Sequence, residues 1–229
     1  MSHAAPSTLR YIARVLTGRF TADDVALAGT PHLLVGLAFT WLAGVGRYWD
    51  NPRASLLQHL GVGSLAYVVV LSAFLWLLLL PLRPARWSYR SILTFICAVS
   101  PPAILYAVPV ERFLSLESAR TANVWFLAVV AAWRVTLYVI FLARYAAFRN
   151  LHLLVASALP LSLIVAGLAA LNLEKAVFDV MAGLDPAAGT SADSAYAVLF
   201  LLTFIAFTVA PAVVLLYLVA IFVSYRASR

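Results

Sequence analysis

Arg134 stands near the middle of an apolar run, Val124–Ala143, with about ten residues on either side. A charge at the centre of a membrane-spanning helix costs about 2.5–3.5 kcal/mol on insertion scales. At 1.5 Å per residue it lies about 15 Å from either interface, too deep for easy snorkelling. It must therefore face a bundle interior or a wet cavity. A guanidinium has five N–H donors and no acceptor, so its chemistry is to hold anions or carbonyl oxygens. No acid occupies a matching depth in any apolar run. Two readings follow: an anion-binding or proton-linked site, or a structural arginine clamped by carbonyls. Tyr138, one turn further on, accompanies it in either case.

The third apolar run supplies the partner. Ser100-Pro101-Pro102 interrupts Ile92–Val110 near its middle. Proline has no N–H, so prolines at 101 and 102 deprive the carbonyls of Cys97 and Ala98 of helical donors. Freed carbonyls in lipid need a donor, and Arg134 is expected to dock near Cys97–Ser100. The candidate anion or substrate residues are thus Arg134, Tyr138, Ser100, Pro101 and Pro102. Broken helices near the midplane line binding sites in transporters. Pro102–Tyr106 also loosely echoes Pro211-Ala212-Val213-Val214 in the last run, as an inverted repeat would.

A second constellation is charged. Arg47 and Asp50, Glu111 and Arg112, and Glu174 with Lys175 fall at the same ends of alternate runs, and His59 is close by. Together they would form a gated mouth or an outward-facing acid–base site. The plainer reading is interfacial ion pairs, which contribute little when exposed. His3, His32, His59 and His152 show no i,i+4 pairing, and no metal site is expected. Catalytic and phosphate-loop motifs are absent, so no cofactor is expected. The single cysteine, Cys97, excludes an intramolecular disulfide.

The elements that must position these residues are apolar helices. Hydrophobic residues make up 64% of the chain and charged ones 11%, against a soluble norm of about 25% charged. Six runs are long enough to read as spans: Leu33–Gly46, Leu60–Leu80, Ile92–Val110, Val124–Ala143, Leu151–Leu173 and Tyr196–Val223. The first is short, because extending it towards Val25 would enclose Pro31 and His32. The runs lack strand alternation, so the expected fold is all-α: a polytopic transmembrane helical bundle of about six spans. Ala128, Ala132 and Thr136 form a small-residue strip suited to close helix packing. Leu9, Ile12, Leu16 and Phe20 lie at helical spacing, with Arg10 and Arg14 on another face, which reads as an amphipathic amino-terminal helix on the membrane surface. Thr21-Ala-Asp-Asp24 resembles a capping box with Asp in place of Glu.

Charge orients the bundle. With the amino terminus in the cytoplasm, ten basic residues fall inside and five outside, Arg134 aside. Residues 1–30 then form an interfacial cytoplasmic segment, 31–225 a single transmembrane domain and 226–229 a short basic tail. Glu174–Met181 would continue the fifth helix along the outer surface, and Asp185–Ser194 would be an outer loop. The localisation expected is an integral multi-pass protein of a bacterial inner or plasma membrane, both termini cytoplasmic. The net charge of +7 is assigned to topology and lipid headgroups, not nucleic acid. The expected partners are the bilayer and a membrane protein or second copy.

A non-catalytic membrane scaffold or assembly factor demands least of these residues. A small-solute or ion transporter or channel using Arg134 and the broken third span is the alternative. A membrane-embedded enzyme is the third reading, with the outer charges as its site.

Overall fold

The computed structural model describes residues 7–49, 54–171 and 193–226, the side chains at 111, 116, 120, 193–200 and 202 excepted. Regular structure among them is helical throughout: α1 (Thr8–Leu16), α2 (Ala22–Ala26), α3 (Thr30–Tyr48), α4 (Leu56–His59), α5 (Val62–Leu79), α6 (Tyr89–Ala98), α7 (Leu116–Arg144), α8 (Asn150–Ala170) and α9 (Asp193–Arg226). Short 3-10 segments occupy Leu80–Leu82, Pro101–Ala107 and Val110–Arg112. Four helices, α5, α7, α8 and α9, are long and apolar enough to cross a membrane. A fifth candidate is α6 with Pro101–Ala107, a pair bent by 44°. α3 falls outside this count, because Pro31, His32 and Arg47 dilute its 19 residues.

The expected surface extension 174–181 and the outer loop 185–194 as far as 192 lie outside the described residues, as does the tail 227–229.

Contacts divide the chain into two compact units. The first comprises Met1–Leu80, Pro84–Val108 and Val130–Ala147. At its heart α3 packs against α5, α6 and Pro101–Ala107. Gly36, Thr40 and Gly44, four residues apart, allow the close approach. A Cβ at Gly36 would meet Cys97 Cβ at 2.8 Å, and one at Gly44 would meet Ser64 Oγ at 2.6 Å. The strip expected for this role, Ala128, Ala132 and Thr136, is exposed instead. α7 buries its bulkier side: Val130, Leu137, Tyr138, Phe141 and Leu142.

The amino-terminal elements follow local chemistry. Gly18, at φ 64°, ends α1, and the bonds Gly18 N–H to Val15 O and Arg19 N–H to Arg14 O form a Schellman motif. Thr21 caps α2 reciprocally: Asp24 N–H donates to Thr21 Oγ1 at 3.1 Å and Thr21 N–H to Asp24 Oδ2 at 2.9 Å. Tyr11, Ile12 and Val15 are buried as α1 packs on α3 and α6. That leaves Leu9 as the fully outward apolar residue of α1, 72% exposed. Four arginines near this end each meet an oxygen. Arg14 pairs with Asp24 at 2.8 Å and Arg86 with Asp23 at 2.7 Å. Arg90 donates to Thr30 Oγ1 at 2.8 Å, and Arg144 to the Gly18 and Phe20 carbonyls at 2.6 and 2.7 Å.

The second unit comprises Pro81–Arg83, Pro109–Val129 and Phe148–Arg229. In it α8 packs along α9. His152 Nε2 lies 2.8 Å from Ser224 Oγ, and Ser224 also reaches the Ala220 carbonyl at 2.9 Å. This is a tie between helices. Pro211 sits inside the single helix α9, whereas Pro101 and Pro102 stand at a break. The short sequence echo between them therefore has no structural counterpart.

Candidate functional site

The site begins where α6 stops. Neither Pro101 nor Pro102 can donate an N–H to continue the helical ladder. Beyond Ala98 the chain tightens: Ser100 N–H bonds Cys97 O at 3.1 Å and Ala103 N–H bonds Ser100 O at 2.9 Å. In an unbroken α-helix Ala103 N–H would instead bond Val99 O. The carbonyl left to Arg134 is accordingly that of Val99, between the flanks of the expected docking site. Arg134 Nε donates to it at 3.3 Å. The other four N–H groups of the guanidinium have no hydrogen-bond partner among the described residues. Arg134 is partly buried.

Around it, Val130 packs with Ala43 and Ala103 in a small apolar core flanked by Leu105 and Tyr106. Tyr106 is close enough to Arg134, Arg47 and Tyr67 to interact with each electrostatically. Arg47 places its Cζ 4.8 Å from the Tyr106 ring centroid, a cation–π contact. The approach is fixed by neighbours. Gly46 has no Cβ, and one built there would meet Ala107 Cβ at 2.7 Å. Trp49 Nε1 donates to Ala107 O at 2.9 Å. Arg47 Nε is buried and without a hydrogen-bond partner among the described residues.

The sequence candidates separate here. Arg134 and the Pro101–Pro102 break come together. Ser100 is turned away: its hydroxyl is 2.8 Å from Thr40 Oγ1, and both residues are buried in the contact with α3. Tyr138 is buried one turn from Arg134. Of the charged constellation, Asp50 and Glu174 lie outside the described residues, as does the side chain of Glu111. Arg112 is exposed in the second unit. His59 is half-buried, with Nδ1 3.2 Å from Ser55 O. No described carboxylate pairs with Arg47 or Arg134. Sequence reasoning missed the association of Arg47 with Tyr106, because it grouped Arg47 with acids at the ends of alternate apolar runs. Its available signal was the glycine beside it.

Outside the spans one ionisable group is strongly perturbed. Burial pushes the Tyr11 phenol above its ordinary value, and the Asp24 charge adds to this. Its hydroxyl is buried with no hydrogen-bond partner among the described residues.

Comparison with protein-family models, curated proteins and solved structures yields no match. The helices long and apolar enough to cross a membrane make this a candidate membrane protein, and the site must be read from its own residues.

Proposed function

We propose that this chain is a six-span integral membrane protein that binds a small anion at Arg134 and carries it across the bilayer. The observation that carries the reading is the bond from Arg134 Nε to Val99 O at the broken third span. That bond holds the side chain through one donor and leaves the Nη fork for a ligand. Forked donors match carboxylate and phosphate oxygens bidentately.

α3 serves as the sixth span. Its 19 residues reach about 28 Å at 1.5 Å each, near the roughly 30 Å bilayer core. Both termini are assigned to the cytoplasm by the arginine bias. The gathering of Arg14, Arg86, Arg90 and Arg144 at one end of the first unit supports this. With Cys97 replaced, single cysteines at Ser88 and Ser191 should label from opposite sides; equal labelling in intact cells would contradict the topology.

Transport is tested in proteoliposomes by anion-driven swelling across a panel of small carboxylates and phosphate. Wild type should admit at least one anion, and Arg134→Leu should reduce that flux at least hundredfold while retaining its thermal melt. Equal flux through both proteins would reject the reading.

A membrane scaffold is the second reading, and α9 favours it. Phe204, Phe207, Leu215, Leu218 and Phe222 are each more than half exposed on that helix, a surface that lipid or a partner helix would cover. A stoichiometric partner co-purifying equally with wild type and Arg134→Leu would support it.

A further inference from the structure

Arg47 and Arg134 share a neighbour. Tyr106 lies under the Arg47 guanidinium at 4.8 Å, and Arg134, Arg47 and Tyr67 all act on it electrostatically. All four residues belong to the first unit. Two guanidiniums in one apolar setting repel each other and have lost much of their hydration, an arrangement that normally calls for a carboxylate between or beside them. Both described carboxylates of this unit, Asp23 and Asp24, are engaged with Arg86 and Arg14. Neither Arg47 nor Arg134 has an ion-pair partner among the described residues. Among the described residues, Arg47 Nε is buried without an acceptor and four donors of Arg134 have no hydrogen-bond partner. Among the described residues no carboxylate supplies the negative charge that would complete this arrangement, and an anionic ligand would supply it.

We propose that Arg47 and Arg134, together with Tyr106, form a binding site for a phosphate group. A phosphate carries about 1.5 to 2 negative charges near pH 7 and three strong acceptor oxygens. It therefore matches two guanidiniums in charge and in forked geometry, where a carboxylate would leave one positive charge uncompensated. The Tyr106 hydroxyl supplies a further donor, and its ring holds Arg47 in place through the cation–π contact. The phosphate is either free inorganic phosphate or the headgroup of an anionic lipid, both offering the same oxygens. The proposal rests on reading Arg134 as a ligand-binding residue, and adds the ligand class and the second arginine.

The test uses the full chain in discs of zwitterionic lipid, with radiolabelled inorganic phosphate as the probe. A second arm adds phosphatidylglycerol and identifies retained lipid by native mass spectrometry. Wild type should bind one phosphate, or retain one phosphatidylglycerol that inorganic phosphate does not displace; the arm that responds identifies the source. Arg47→Gln should weaken the binding at least tenfold, and Arg134→Gln should abolish it. Arg47→Lys keeps charge without the fork and should weaken binding several-fold, which guards against a Gln variant that misfolds. Arg112→Gln, exposed in the second unit, should bind as wild type. Binding unchanged in a folded Arg47→Gln or Arg47→Lys protein would overturn the proposal, as would binding of acetate but neither form of phosphate. Phosphate binding without flux would reject transport and sustain this site. Flux of another anion that ignores Arg47 would sustain transport and reject this site.

Discussion

The first unit uses arginine in two contrasting ways. At its amino-terminal end, Arg14, Arg86, Arg90 and Arg144 each meet an oxygen: a carboxylate, a hydroxyl or the carbonyls beyond the Schellman turn. At the broken span, Arg134 gives one donor to Val99 O and Arg47 rests on Tyr106. Both sets keep donors to spare, but the first set is exposed, whereas the second stands beside the small apolar core of Ala43, Ala103 and Val130. Position explains the difference in consequence. Exposed pairs are solvated and contribute about 0–1 kcal/mol each, whereas a guanidinium inside a span needs a partner. Surplus donors at the first end mean little, and surplus donors at the second imply a ligand.

The contrast can be broken by exchange. The largest effect is expected from Arg134→Leu, which should lower anion flux at least hundredfold and shift the thermal melt little. Arg14→Leu should leave flux unchanged; a hundredfold loss there would erase the distinction. Next comes Gly36→Val, whose added atoms meet Cys97 Cβ at 2.8 Å. It should destabilise the fold by about 1–3 kcal/mol in a detergent melt, disturbing the break through α3. Asp24→Ala removes the acceptor of Thr21 N–H, one half of the reciprocal α2 cap, and the acceptor of Arg14. A cost of about 1–2 kcal/mol is expected, mostly from the cap, with flux retained.

The smallest effect concerns Tyr11. Its hydroxyl has no hydrogen-bond partner among the described residues, so Tyr11→Phe should be neutral to slightly stabilising at pH 7. The phenol is held neutral by burial, and its folded value lies above the unfolded one of about 10. Stability from this group is therefore complete below pH 10 and lost as pH rises beyond it. Tyr11→Phe should make the alkaline fall of the melting temperature shallower; an unchanged alkaline limb would mean that Tyr11 does not contribute to it.

Much of this was legible in the chain because strong local rules governed it. The Pro101–Pro102 pair forces a break whatever surrounds it, and Thr21 with Asp24 forms its cap from neighbours three residues apart. The docking of Arg134 at that break followed from counting donors and acceptors. What was illegible depended on which face of a helix meets which neighbour. The strip on α7 had the right spacing for packing, yet Gly36, Thr40 and Gly44 on α3 provide it. Ser100 was the right type of residue for an anion, but helix rotation directs it to Thr40. Arg47 was grouped with acids by its place at the end of an apolar run. Only the approach of Gly46 to Ala107 brings it to Tyr106.

The central claim is that Arg134 is fixed through Nε and binds through its outer fork. Nitrogen-15 NMR of arginine-labelled protein in lipid discs, with Arg134 assigned by its loss in Arg134→Lys, addresses this directly. The account predicts an Nε–H already protected from water exchange without ligand, and slowed Nη rotation when inorganic phosphate is added. An exchanging Nε–H, or Arg134 resonances indifferent to phosphate while exposed arginines respond, would contradict it.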